Sequence, residues 1–277
     1  SPADYQIKPY KAKFQLEHVG SSGIGFGTSQ YGTAMAGGVS AIFGDMLNNH
    51  QIYSMLSVQG EVYDIAGQAA YINRETHIPW GAVASHIPFR RSYGYYKPND
   101  TLQTEEGALV VDNIVTIDKR VFHDRLQTMA QYPLSRHMRF EAGGGVSRYS
   151  FRYDSTNNYY AGYSKIHEKR KQIDAPDPFY LAQGHVAFVG DNSDFGMTSP
   201  LAGHRYRMEV GATIGKYNYI NVLADARKYF FRKPLSFAFR GMHYGRYGTD
   251  SDALYPMFLG QNYYIRGYTA NSLSNTS

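Results

Sequence analysis

Ten histidines are the first residues to test for chemistry. His123, His137 and His167 lie far apart in the chain, and His167-Glu168 lacks the second His that a zinc-protease helix requires. Cysteine is absent, which removes disulfides, thiolate metal ligands and thiol nucleophiles. No Gly-x-Ser-x-Gly elbow occurs, and the Gly-rich run 20–27 does not lead into a helix that could cradle phosphate. The residues therefore supply no catalytic group, metal site or cofactor site. What they supply is charge at alternate positions: Arg205, Arg207 and Glu209 in one segment, Asp225 and Arg227 in the next, and Arg240 in a third. Spaced by two on neighbouring strands, such side chains share one face and pair across it. Asp45, Asp64, Glu141 and Arg139 are expected to join that set.

The elements that carry these charges have a period of two. In residues 203–215, Tyr206, Met208, Val210, Ala212 and Ile214 oppose Arg205, Arg207, Glu209 and Thr213. Residues 9–18 and 234–241 alternate in the same way. Residues 39–73 read as three closely spaced strands, with turns expected at Asn48-Asn49 and at 59–61. Residues 98–106 and 175–178 read as loops, and 165–171 as a short helical or loop excursion. In residues 136–154 the apolar positions are first even (Met138, Phe140, Ala142) and then odd (Tyr149, Phe151, Tyr153), which predicts a bulge within Gly143-Gly144-Gly145. Roughly 11 or 12 strands are expected before residue 258.

Composition decides which kind of β-protein this is. Tyr 26, Phe 15 and Gly 28 stand beside a single Trp, and no apolar run reaches the ~18 residues of a spanning helix. An apolar face diluted with Gly and Ala makes a thin core in water, whereas lipid asks only that it be uncharged. The expectation is an all-β, transmembrane, antiparallel up-and-down β-barrel, with charges facing a polar lumen. The modest +5 net charge is spread without a Lys/Arg cluster, so nucleic acid is not the expected partner. A soluble sheet with a solvated charged face, binding carbohydrate through its tyrosines, is the alternative. Ser1 carries no signal-peptide pattern, as in a mature or trimmed chain.

One motif is sharper. Leu259-Gly260 followed by Tyr264, Ile265, Arg266, Gly267 and Tyr268 resembles the arginine-glycine-aromatic loop of the outer-membrane assembly superfamily, the BamA-like or bacterial surface-antigen barrels. The approach is similar too: residues 225–229 precede a Phe-rich strand with Ala238, Phe239 and Arg240, then Gly245 and Gly248. Residues 37–73 look like the barrel start of a Bacteroidota branch whose barrel commonly follows a TolB-like β-propeller. The resemblance implies a single barrel domain over 1–277, with 258–277 as an inward-folding loop. In the family Arg266 would bond inner-wall carboxylates bidentately, as Lys would not, while Gly267 allows a tight backbone. The family barrel has about 16 strands, so the chain is expected to be a fragment, or one part of a split barrel closed by another polypeptide. The implied setting is the outer membrane of a Gram-negative bacterium. There the barrel would contact lipid and lipopolysaccharide and insert or translocate client outer-membrane or secreted proteins. A fused or associated periplasmic β-propeller is a further implied partner. A non-translocating barrel, serving as membrane anchor or structural subunit, is the other expectation.

Overall fold

Alternation without a helical period leaves the chain one way to satisfy its backbone, by pairing each strand with its neighbours. The computed structural model describes residues 10–29, 32–58, 62–104, 107–197 and 199–253. They form one large antiparallel sheet of 13 strands. In chain order these are β1 (Gln15–Ser29), β2 (Gly32–Gly44), β3 (His50–Val58), β4 (Ile65–Asn73), β5 (Trp80–Thr104), β6 (Gly107–Pro133) and β7 (Met138–Ala161). There follow β8 (Ser164–Ile173), β9 (Phe179–Asp191), β10 (Asp194–Phe195), β11 (Pro200–Gly215), β12 (Tyr219–Arg232) and β13 (Leu235–Tyr247). The spatial order is that of a meander, with β8 on β7 and β10 on β11 off the main path. Among the described residues, β1 and β13 are not hydrogen-bonded to each other, so the sheet is not closed into a barrel.

Several local expectations change. Residues 165–171 lie in β8, paired to β7 from Ala161 down to Tyr153, because their Lys and Arg side chains are long enough to stay solvated on a strand. β8 and β9 both follow β7, the first on its upper and the second on its lower part. Between them residues 174–178 carry Pro176 and Pro178, which cannot donate to a ladder. Most of residues 98–106 also belong to strand: β5 runs to Thr104, with one register shift between Lys97 and Asp100 and Asn99 at φ 54° absorbing it. β1 starts at Gln15, later than the alternation predicts. The turn at Asn48 is present, with φ 56° there, while 59–61 lie outside the described residues.

The predicted bulge at Gly143-Gly144-Gly145 is absent. β7 keeps an unbroken register through the three glycines with both β6 and β9. The glycines answer a different need: a Cβ on Gly145 would stand 2.2 Å from the Leu126 carbonyl oxygen, and one on Gly143 2.5 Å from the His185 ring. The change of apolar phase is therefore not a change of pointing direction. It is a change in what each face meets.

Two faces can be followed from strand to strand. The front face holds Trp80, Ala130, Ala142, Val186, Val210 and Val222, which lie in one register row. At the end of the sheet with the 45–49 and 134–137 turns, this face carries Tyr71, Trp80, Phe140, Phe188 and Tyr206. Tyr71 packs edge-on against Trp80 at 5.3 Å, and Phe188 touches Phe140 at 5.0 Å and Tyr206 at 5.4 Å. Eight residues along β9 from Phe188 stands the exposed Tyr180, in the row of His86, Asp124 and Arg148. Eight residues of strand span ~27 Å. That row is already charged, so the apolar front face is the band below it, from Gly190 to Ala182 on β9. The band measures ~27 Å along the strands and ~20 Å in height at the ~35–45° strand tilt of a membrane barrel. β5, β6 and β7, at 25, 27 and 24 residues, run far beyond it.

Candidate functional site

Within the band, the back face is a ladder of ion pairs. Alternation puts Arg139 and Glu141 of β7, Arg207 and Glu209 of β11, Asp225 and Arg227 of β12, and Arg240 of β13 on it. The register sets Arg207 opposite Asp225 and Arg227 opposite Arg240. Glu141 receives Arg139 Nε at 2.7 Å and, from β11, Arg207 Nη1 at 2.7 Å. Arg207 also grips Glu209 through Nε and Nη2, at 2.8 and 2.7 Å. Asp225 accepts a fork from Arg240, Nε at 3.0 Å and Nη2 at 2.8 Å, and a second from Arg227 at 3.2 and 2.8 Å. Arg205 pairs with Asp191 at 3.3 Å. All six charges read from the sequence in this region stand on one face. Bidentate arginine pairs of this kind are strong because the fork matches the carboxylate. A concavity of ≈ 260 Å³ opens between Arg139, Arg205, Arg207 and Asp225.

Ile265, Arg266, Gly267 and Tyr268 lie outside the described residues. Asp45 and Asp64 depart from the sequence expectation. Asp45 sits in the turn after β2, where it accepts Tyr10 Oη at 2.5 Å and the His50 N–H at 2.7 Å. Burial alone would raise its carboxyl, but those two bonds outweigh it and hold the group below the ordinary carboxylate value. Asp64 belongs to a second cluster, on the front face above the apolar band. Arg120 of β6, wholly buried, donates to Asp64 Oδ1 at 2.8 Å and to Asp154 Oδ2 at 2.9 Å. Arg90 joins Asp64 to Asp118, and Arg152 and Arg170 close on Asp154. The Tyr63 ring covers the Arg152 guanidinium at 3.9 Å.

Sequence reasoning missed this cluster. Its signal was available: Arg90, Ser92, Asp118, Arg120, Arg152 and Asp154 all occupy even positions on three consecutive strands. In each strand the even positions are apolar lower down. Above the band the back face is correspondingly aromatic: His123 stacks on Tyr149 at 4.5 Å, and Tyr149 on Phe179 at 5.0 Å. Among the described residues no group of three His, Asp or Glu is arranged to hold a metal ion. Compared with protein-family models, curated proteins and solved structures, the chain matches none.

Proposed function

We propose that this chain is the wall of a transmembrane β-barrel in the outer membrane of a Gram-negative bacterium, of the BamA-like kind, acting in insertion or translocation of proteins there. The observation that carries the reading is the exchange of faces. An apolar band ~20 Å high covers the front of β5–β7, β9 and β11–β13. At its upper edge, in the row of His86, Asp124 and Arg148 and two rows further at Arg120 and Arg152, that face becomes charged on the same continuous strands β5–β7. A face that borders lipid and then emerges into water requires this change, and a sheet wholly in water does not. In this reading the ion-pair ladder lines the lumen and braces it. The assembly role rests on the likeness of residues 264–268 to the family's loop, and the step it implies is non-covalent: entry of a client strand into a compliant barrel. The arginines of the ladder are satisfied within the wall, and that feature equally suits a barrel serving as anchor or structural subunit of a larger complex.

The cysteine-free chain makes the membrane reading directly testable. Single cysteines at Val186 and Val210 on the front, and at Gln183 and Asn221 on the back, are labelled with a fluorophore in vesicles. Front labels are expected to respond to a lipid-phase quencher and back labels to aqueous iodide. Equal quenching of all four by iodide would sink the membrane reading. Client insertion is tested separately: depletion of the protein, or Arg266→Ala, should lower the levels of other outer-membrane barrels. Unchanged levels with intact front-face quenching would leave the anchor reading.

A further inference from the structure

Above the band, the back face of β5–β8 combines cations and tyrosines in a regular grid. Its register rows are Arg91–Lys119–Tyr153–Ile173, Tyr93–Ile117–Ser155–Lys171, Tyr95–Val115–Asn157–Lys169 and Lys97–Asn113–Tyr159–His167. Asp100 neutralises Lys97 at 2.8 Å. Lys119 stands over both Tyr93 and Tyr153, at 5.3 and 5.0 Å. Arg91, Lys169, Lys171, Tyr93 and Tyr95 are exposed. Lysines on β8 alone would be explained by its free edge, since charge there discourages pairing with another chain. That explanation does not reach Lys119 and Arg91, which lie on interior strands.

We infer that this face binds an anionic glycan chain. Among the described residues it carries more cations than carboxylates, so its field attracts polyanions. Exposed Tyr rings offer flat apolar surfaces to the carbohydrate rings, with hydroxyls at their rims. Asn113 adds a second sign. It is buried, its Nδ2 donates to Asp100 and Asn157, and its Oδ1 has no hydrogen-bond partner. A buried acceptor left unpaired is costly, and a sugar hydroxyl entering between Lys97 and Tyr159 would satisfy it. An acidic protein partner fits less well, because the apolar residues at the centre, Val111 and Val115, are already covered and offer no anchor. Lys169 and Lys171, two residues apart on β8, stand ~7 Å from each other, a spacing that suits repeated charges along a polymer. The inference holds whether or not the band below is in lipid.

The test uses the intact purified protein and polygalacturonate, with neutral dextran and poly-glutamate as comparison polymers. Polygalacturonate should bind at low salt, poly-glutamate about tenfold more weakly, and dextran not at all. Lys169→Gln with Lys171→Gln should weaken binding about fivefold to tenfold, and Tyr95→Ser about fivefold with charge unchanged. Lys233→Gln, in the turn at the other end of the sheet, should leave it as it was, and far-UV circular dichroism checks that each variant is folded. Folded lysine variants that bind like the parent would overturn the inference. So would equal binding of poly-glutamate with no effect of Tyr95→Ser, which would mark the face as one for acidic protein.

Discussion

The ladder around Asp225 and the cluster around Arg120 use the same chemistry on opposite faces of one sheet. In the ladder the arginines keep a quarter or more of their side-chain surface in contact with solvent: 26% for Arg240 and 30% for Arg227. In the cluster Arg120 has none, and its partners Asp64 and Asp154 have 2% and 1%. Most of the ladder links neighbouring strands that are already hydrogen-bonded to one another, as Arg240 to Asp225 does, and Arg207 to Glu141 reaches across β9 within the same continuous sheet. The cluster instead ties the segment before β4 to β5, β6 and β7, none of which pairs with residues 62–64. A half-wet pair adds modestly to an existing ladder, whereas a dry one fixes a connection that the backbone does not make.

That contrast orders the expected effects. Arg120→Ala should be the most damaging single change, about 3–5 kcal/mol, because it leaves Asp64 and Asp154 as buried charges short of a donor. Urea unfolding with the intact protein measures it. Arg120→Met combined with Asp64→Asn should recover much of the loss, since both charges then go together. A cost below ~1 kcal/mol for Arg120→Ala would mean that the cluster is not dry, and the contrast with the ladder would fail.

The second test sets the two faces against each other within the band. If the front face meets lipid, Val210→Arg should cost about 2–4 kcal/mol, while Gln183→Arg, half-buried on the polar back face, should be tolerated far better. Similar small costs for both would place the front face in water. Third comes Asp225→Asn, which leaves Arg240 and Arg227 without their shared carboxylate. Hydrogen bonds to charged groups contribute about 1.5–3 kcal/mol. Solvent at both guanidiniums screens this one, so about 1–2 kcal/mol is expected, smaller than for Arg120. An Asp225→Asn effect as large as that of Arg120→Ala would erase the distinction between the regions.

The sequence disclosed the ladder because its signal is local. Arg205, Arg207 and Glu209 alternate with Tyr206, Met208 and Val210, and period two alone sets them on one face. It disclosed most strands for the same reason. The Arg120 cluster was hidden because its parity argues the other way: Arg152 and Asp154 stand on the face that carries Met138 and Phe140. A reader who assumes one environment per face must insert a bulge, and Gly143-Gly144-Gly145 offers a tempting place for it. β8 was hidden because lysine-rich alternation resembles a solvated loop until the partner strand is known. Closure of the sheet was beyond local pattern altogether, since edge pairing is set by distant strands.

The smallest effect lies at the turn after β2, away from both regions, and it sharpens the contrast by offering a carboxylate held without arginine. Asp45 accepts from the Tyr10 hydroxyl and the His50 amide, and both partners favour its charged form. Its carboxyl is therefore depressed in the folded chain, and the same bond, chiefly, raises the Tyr10 phenol. A depressed carboxyl contributes stability that is present above its unfolded value, about pH 3.9. That contribution disappears as the pH falls through the lower folded value. Protection of the His50 amide from hydrogen exchange should accordingly persist at pH 5 and weaken only below about pH 4. Asp45→Asn should remove that pH dependence and return the Tyr10 phenol toward its ordinary titration. A loss of protection already complete at pH 5, or an unmoved Tyr10 in the variant, would show that the turn is held by its backbone, the Asp45–His50 and Asn48–Asp45 bonds at 3.1 and 2.9 Å, and not by the carboxylate.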